Sequence, residues 1–214
     1  MSKGSVESSM NRRNKQAALP GAENPMPPCD ADRGLLAHER TPRRGLMICC
    51  PHRYAHSVLE VLPEDLSERG IEGVILDLDN TLVKWAREEL TEDILAWIAG
   101  LRSANIKFCL LSNSVLSRRV ERVAEVFGCP NIRKAQKPRP DGFHRAMKAM
   151  GTTPATTAII GDQMFTDILG GNRVGIYTIM VKPMAKGEFV YTRLVHRPPE
   201  TLLLRLFRKR GHLR

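Results

Sequence analysis

The stretch IEGVILDLDNTLVKW, residues 71–85, places two carboxylates one residue apart at the end of a run of β-forming residues. The apolar run predicts a buried strand over 74–78, from which Asp77 and Asp79 project. Charged side chains are rarely buried unless they are paired or bind a metal ion. The two aspartates therefore belong either to a solvated turn or to a functional site, and the rest of the chain has to decide.

Strand and helix patterns alternate from this stretch to residue 181. Predicted strands cover 74–78, 107–111, 131–134, 157–160 and 175–181, and predicted helices cover 92–103, 116–127, 141–150 and 166–172. This alternation indicates an α/β fold with a parallel sheet of about five strands, helices on both faces and right-handed crossovers. Ligands of such sheets bind beyond the carboxyl ends of the strands, so the strand-to-helix junctions are where chemistry is expected.

Polar residues suited to phosphate and a hard cation follow four of the predicted strands. The junctions hold Asp77, Asp79 and Thr81, then Ser112 and Asn113, then Lys137, and finally Asp162 with Asp167. Side chains alternate along an extended chain, so Asp77 and Asp79 point the same way. One carboxylate could attack phosphorus, and the other could protonate the leaving oxygen and then activate water.

Two adjacent carboxylates repel each other, and a bound cation would hold them together. Mg²⁺ prefers oxygen ligands. Asp162 can complete its shell from the fourth junction, and Asp167 can help directly or through water. The cation and Lys137 would neutralise the phosphoryl oxygens, while Ser112 would donate a hydrogen bond.

Four motifs resemble those of the haloacid dehalogenase (HAD) superfamily. They are DLDNT at 77–81, LLSNS at 110–114, KP at 137–138 and GDQMFTD at 161–167. The resemblance implies a HAD-type Rossmannoid three-layer fold, with Asp77 as nucleophile and Asp79 as general acid/base. It implies phosphate binding by Ser112 and Lys137 and Mg²⁺ ligation by Asp162 with Asp167. From their places at the same junctions, Thr81 and Asn113 are further predicted phosphate binders, and Asp77 and Asp79 are further predicted Mg²⁺ ligands. Over roughly residues 49–210 the chain is similar to the small YqeG-like phosphatases of subfamily IIIA, which include phosphatidylglycerophosphate phosphatases.

Each motif alone has a plainer interpretation. A DxD pair is most often a solvated turn, and any of Ser112, Asn113 and Ser114 could cap a helix. Lys134 competes with Lys137 as the phosphate-binding cation. The occurrence of all four motifs in order, each after a strand, favours the catalytic interpretation.

Short connections leave no room for a large cap domain over the predicted site. About ten residues separate Thr81 from the helix at 92, enough for a hairpin flap, and only one helix and one short strand separate Ser112 from Lys137. We therefore expect an open site and a bulky phosphomonoester: a phosphoprotein, a nucleic-acid end or a lipid headgroup.

The net charge of +10 lies at the two ends of the chain. Residues 1–46 carry eight Lys/Arg and five Asp/Glu, 182–214 carry nine and two, and 47–181 carry sixteen of each. We expect a disordered basic extension over 1–46, a phosphatase domain over 47–190 and a basic amphipathic tail over 191–214.

The tail offers two alternatives: contact with anionic lipid, or packing on the domain. Its apolar residues Leu202, Leu203, Leu206 and Phe207 lie near one helical face, beside Arg205, Arg208 and Lys209. Aromatic residues make up 5% of the chain and do not interleave with the basic tail, so no nucleic-acid partner is expected. The oligomeric state is not indicated.

The cysteines, the apolar runs and the N-terminal acidic residues together predict the cellular location. Five cysteines without paired spacing indicate reduced thiols, and no window approaches about 18 consecutive apolar residues. Five acidic residues in 1–46 argue against a mitochondrial transit peptide. We expect a cytoplasmic protein with peripheral membrane contact through its tail.

Three functions fit these observations. The first is a Mg²⁺-dependent phosphomonoesterase that forms an aspartyl-phosphate, acting on phosphatidylglycerophosphate. The second is a non-enzymatic RNA- or ribosome-associated module with a vestigial site, against which the intact catalytic set argues. The third is a phosphatase for a small soluble metabolite.

Overall fold

A computed structural model of the 214-residue chain describes residues 45–82, 90–114, 117–184 and 197–209. Within these residues the strands are β1 Arg53–Ala55, β2 Gly73–Leu76, β3 Lys107–Leu111, β4 Asn131–Ile132, β5 Thr157–Gly161 and β6 Tyr177–Val181. They form one parallel sheet in the order β1-β6-β5-β2-β3-β4. The predicted α/β class and parallel sheet are confirmed. Strand β2, which Asp77 and Asp79 follow, lies near the centre of the sheet.

The α-helices of the described residues pack on both faces of this sheet. They are α1 Pro63–Glu68, α2 Glu92–Ser103, α3 Ser117–Phe127, α4 Pro140–Met150, α5 Leu169–Arg173 and α6 Arg197–Lys209. Side chains of β2 alternate between two cores: Val74 packs with residues of α1, α2 and α3, whereas Ile75 packs with residues of α4. This alternation produces the three-layer arrangement.

The sheet has six strands rather than the five predicted. The additional strand is β1, which pairs with β6 at the edge of the sheet. Further backbone bonds continue the pairing on both sides of β1, from His52 N–H to the Thr178 carbonyl (2.9 Å) and from Lys182 N–H to the Ala55 carbonyl (3.1 Å). Three residues carry too little periodicity to indicate a strand, so β1 depends on β6 for its conformation.

Several predicted elements differ in extent from those observed. The strand predicted over 131–134 ends at Ile132, because Lys134 has a positive φ of 47° that leaves the extended region. The helix predicted over 166–172 is a π-helical turn, Met164–Ile168, followed by α5. The hairpin between 83 and 89 and nearly all of the predicted extension 1–46 lie outside the described residues.

The C-terminal helix α6 packs on the domain, one of the two alternatives left open by the sequence. Phe207 is 1% exposed and lies in a cluster with Cys50, Met164, Ile168 and Met180. Leu202 is 60% exposed and Arg205 also faces solvent. Most of the apolar face of α6 is thus used within the protein. No helix in the described ranges has the length and apolar character that a membrane span requires.

Candidate active site

The carboxyl ends of β2, β3 and β5 bring three of the four motifs to one rim of the sheet, and the fourth reaches it through Lys137. Asp77 follows β2 directly, and its N–H donates to the Ile160 carbonyl of β5 (3.0 Å). Lys137 follows β4 and extends its side chain back, so that Nζ donates to the Leu111 carbonyl at the end of β3 (3.0 Å). Parallel strands align their carboxyl ends, which is why motifs far apart in sequence meet here.

Lys137 is shared between two buried carboxylates. Its Nζ lies 2.6 Å from Asp77 Oδ1 and 2.6 Å from Asp167 Oδ1, and the three side chains are at most 6% exposed. Burial raises the pKa of Asp77 against the opposing effect of Lys137. Burial acts to lower the pKa of Lys137, but Asp167 and Asp77 outweigh it and raise that pKa. Lys137 is therefore held as a cation inside the site, whereas the competing Lys134 is exposed.

Three carboxylates could hold one metal ion. Asp77, Asp162 and Asp167 each offer an oxygen, and these atoms lie within 4.8 Å of one another. Asp77 Oδ2 is buried and has no hydrogen-bond partner among the described residues. Three buried carboxylates exceed the single charge of Lys137 by two, which a divalent cation would balance. The all-oxygen donor set fits a hard cation such as Mg²⁺.

The position of Asp167 depends on the glycine of its motif. A Cβ at Gly161 would lie 2.4 Å from Asp167 Cγ, so only glycine leaves room for the Asp167 side chain at this distance from the strand. Asp167 is carried by the π-helical turn, and its Oδ2 accepts a hydrogen bond from Gln163 N–H (3.2 Å). The motif GDQMFTD thus positions a carboxylate as well as supplying it.

Asp79, also predicted as a metal ligand, lies outside the group formed by the other three. Its Oδ1 is 3.1 Å from Arg119 Nη1, and the two side chains are 19% and 11% exposed. Burial raises the pKa of Asp79, while Arg119 and Lys137 act to lower it. A carboxylate beside the candidate nucleophile that retains a proton more readily suits general acid/base chemistry.

Arg119 was missed by the sequence reasoning. It stands on α3 in an Arg-Arg pair, and its neighbour Arg118 is exposed. Nothing in the spacing of the pair distinguishes an arginine that reaches the site from one in solvent. The only signal was its place on the helix that follows the second motif.

The predicted phosphate binders occupy different environments. Thr81 is buried, and its Oγ1 has no hydrogen-bond partner among the described residues. Ser112 is also buried, and its Oγ accepts a bond from Ser114 N–H (2.9 Å). Asn113 exchanges two bonds with the backbone of Lys137: Lys137 N–H donates to Asn113 Oδ1 (2.7 Å), and Asn113 Nδ2 donates to the Lys137 carbonyl (3.0 Å). Asn113 therefore fixes the lysine-bearing loop.

Comparison with known proteins agrees with this geometry. Residues 58–175 match the family described as haloacid dehalogenase-like hydrolase. The probable phosphatase YqeG of Bacillus subtilis (strain 168) is 38% identical over 163 residues, 76% of this chain and 94% of that protein. These matches confirm the resemblance to HAD phosphatases and the predicted class of enzyme.

Two more distant relatives carry a more specific name. The chloroplastic phosphatidylglycerophosphate phosphatase 1 of Chlamydomonas reinhardtii is 30% identical over 146 residues, 64% of this chain and 54% of that protein. The chloroplastic/mitochondrial phosphatidylglycerophosphate phosphatase 1 of Arabidopsis thaliana is 26% identical over 168 residues, 74% of this chain and 48% of that protein. This chain spans about half the length of these two relatives.

Proposed function

The chain belongs to the haloacid dehalogenase-like hydrolase family, and from this premise we propose that it is a Mg²⁺-dependent phosphomonoesterase that forms an aspartyl-phosphate on Asp77. One observation carries the proposal. Asp77, Asp167 and Lys137 converge with Asp162 in a buried cluster whose negative charge one divalent cation would balance. A solvated turn would not bury these groups together.

The side chains present have the roles that the reaction needs. The Asp77 carboxylate attacks phosphorus, and an oxygen–phosphorus bond forms while the ester bond breaks. The leaving oxygen takes a proton from Asp79. In the second half, water attacks the phosphoryl group, Asp79 accepts a proton from that water, and phosphate and the free Asp77 carboxylate result.

Charge neutralisation and positioning complete the mechanism. Arg119 holds Oδ1 of Asp79, which leaves Oδ2 to carry the proton. Lys137 offsets negative charge on the phosphoryl oxygens, and the hydroxyls of Thr81 and Ser112 donate hydrogen bonds to them. Asp77, Asp162 and Asp167 would hold Mg²⁺, which supplies further electrostatic stabilisation of the phosphoryl oxygens.

The substrate class that we propose is the phosphomonoester headgroup of an anionic phospholipid, with phosphatidylglycerophosphate as the first candidate. Two observations support this substrate class. The connections from Thr81 to α2 and from Ser112 to Lys137 are too short to form a large cap domain over the site, and two relatives are named phosphatidylglycerophosphate phosphatases. The alternative is a small soluble phosphate ester, which the same catalytic groups could hydrolyse.

Phosphate release in the presence of Mg²⁺ tests both the catalytic role of Asp77 and the preference for a lipid substrate. Asp77→Asn should reduce turnover to below about a thousandth on every ester, because it removes the nucleophile. Asp141→Asn, which changes an exposed carboxylate on α4, is the matched control and should retain full activity. A correctly folded Asp77→Asn enzyme that still turns over would refute the nucleophile, and equal kcat/KM on lipid and soluble esters would refute the lipid preference.

A further inference from the structure

The edge of the sheet at β4 contains a basic recess between α3 and α4. The recess has a volume of about 430 Å³ and is lined by Glu121, Asn131, Arg133, Lys134 and Arg145. Its only carboxylate, Glu121, forms an ion pair with Arg133. No described carboxylate forms an ion pair with Lys134 or Arg145, both of which are exposed. The recess therefore presents a net positive charge to solvent.

Among the described residues, exposed charge differs between the two edges of the sheet. Residues 131–148, which include β4 and most of α4, hold five exposed Lys/Arg and one exposed Asp, while a sixth cation, Lys137, is buried in the ion pairs of the active site. Residues 57–72 hold five Asp/Glu and one Arg, and they adjoin the opposite edge through the Arg53–Asp65 ion pair. β1 and β4 are the two outermost strands of the sheet. Such an asymmetry would orient the protein with its β4 edge towards a negative surface.

Two residues of the recess lie at the same rim of the sheet as the active site. Arg133 and Lys134 follow the carboxyl end of β4, and Lys137 comes three residues later in the same loop. β4 is two strands from β2, which corresponds to about 10 Å at the usual spacing between strands. A surface that contacts the recess is therefore close to Asp77.

We propose that this recess is the surface by which the protein binds membranes that contain anionic phospholipid, with the recess taking the phosphate of one headgroup beside the active site. The inference rests on the proposed lipid substrate. No aromatic side chain lines the recess, so it offers no stacking surface for nucleic-acid bases. The recess, rather than the basic tail, is then the main contact with the membrane, because α6 packs Phe207 against the domain.

Binding to vesicles tests the proposal with two variants of equal charge. The recess variant combines Arg133→Gln, Lys134→Gln and Arg145→Gln. The control combines Lys107→Gln, Arg173→Gln and Lys182→Gln, three exposed cations outside the recess. A basic residue near an anionic surface contributes about a factor of five in binding. The recess variant should therefore lose between about tenfold and a hundredfold in partition onto phosphatidylcholine–phosphatidylglycerol vesicles, while the control keeps most of its binding.

Other outcomes separate the two proposals from each other. Both variants should hydrolyse a soluble phosphate ester at the wild-type rate, because neither alters the catalytic groups. Equal loss of vesicle binding in the two variants, or a wild-type protein that binds no anionic vesicle, would overturn the inference. Loss of single-stranded RNA binding in the recess variant, with vesicle binding intact, would overturn it in favour of a nucleic-acid surface. Normal vesicle binding without turnover of any ester would instead overturn the proposed function.

Discussion

Replacing Arg119 by glutamine tests the role of Asp79 without altering Asp79 itself. The change removes the guanidinium whose Nη1 lies 3.1 Å from Asp79 Oδ1. The pair is at most 19% exposed, so solvent screens it only in part. Without Arg119, the Asp79 side chain would lose its fixed orientation, while Asp77 and Lys137 keep theirs.

The expected effect follows from the type of contact. A hydrogen bond to a charged group contributes about 1.5–3 kcal/mol, and each 1.36 kcal/mol in a barrier is about tenfold in rate. Arg119→Gln should therefore lower kcat/KM for an alkyl phosphate by about tenfold to a hundredfold, within the range of general acid catalysis. For 4-nitrophenyl phosphate the loss should be less than about threefold, because a nitrophenolate leaves without needing a proton.

The assay compares kcat/KM for both esters in four proteins: the wild type, Arg119→Gln, Asp79→Asn and the double variant. Arg118→Gln, at an exposed position next along the helix, is the control and should match the wild type on both esters. The double variant should be no slower than Asp79→Asn alone, since the two residues act as one unit. Equal losses on the alkyl and aryl esters in Arg119→Gln would show that Arg119 does not act through proton transfer by Asp79.

Three further experiments test other parts of the structure. Lys137→Met leaves two buried carboxylates without their shared cation, so urea unfolding without metal should show a loss of about 3–5 kcal/mol; an unchanged midpoint would contradict the shared ion pair. Gly161→Ala places a Cβ 2.4 Å from Asp167, so the rise in melting temperature on adding Mg²⁺ should largely disappear; a full rise would argue against Asp167 as a ligand. Phe207→Ala should destabilise the protein by about 3 kcal/mol, whereas Leu202→Ala, at a position 60% exposed, should cost less than about 0.5 kcal/mol. Equal costs for these two changes would contradict the docking of α6.

Much of the fold is predictable because its signals are local. The helix α2 begins and ends where the sequence places it, since Thr91 caps it and its Oγ1 accepts a bond from Ile94 N–H (3.4 Å). β3 likewise matches its apolar run. β1 was not predictable, because its three residues become a strand only by pairing with β6. The short β4 was overestimated, because nothing in its composition signals the positive φ at Lys134.

Part of the candidate site was likewise predictable from local sequence patterns, and part of it was not. Asp77, Asp162 and Asp167 meet because sheet topology aligns strand ends that local patterns identify. Two features depend on side-chain directions that spacing does not encode. One is the contact of Arg119 with Asp79, across 40 residues of sequence. The other is the use of Asn113 to hold the Lys137 backbone, across 24 residues.

The covalent step at Asp77 is the claim on which the other assignments depend. Rapid quenching during turnover, followed by borohydride reduction, converts an acyl-phosphate into the alcohol, so mass spectrometry of the digest would identify the residue that carried it. We expect homoserine at position 77 only when 4-nitrophenyl phosphate and Mg²⁺ are both present. We expect more of it in Asp79→Asn, because hydrolysis of the intermediate is slower there while the nitrophenolate still leaves without a proton. Reduction at another aspartate, or steady hydrolysis with none at position 77, would contradict the account.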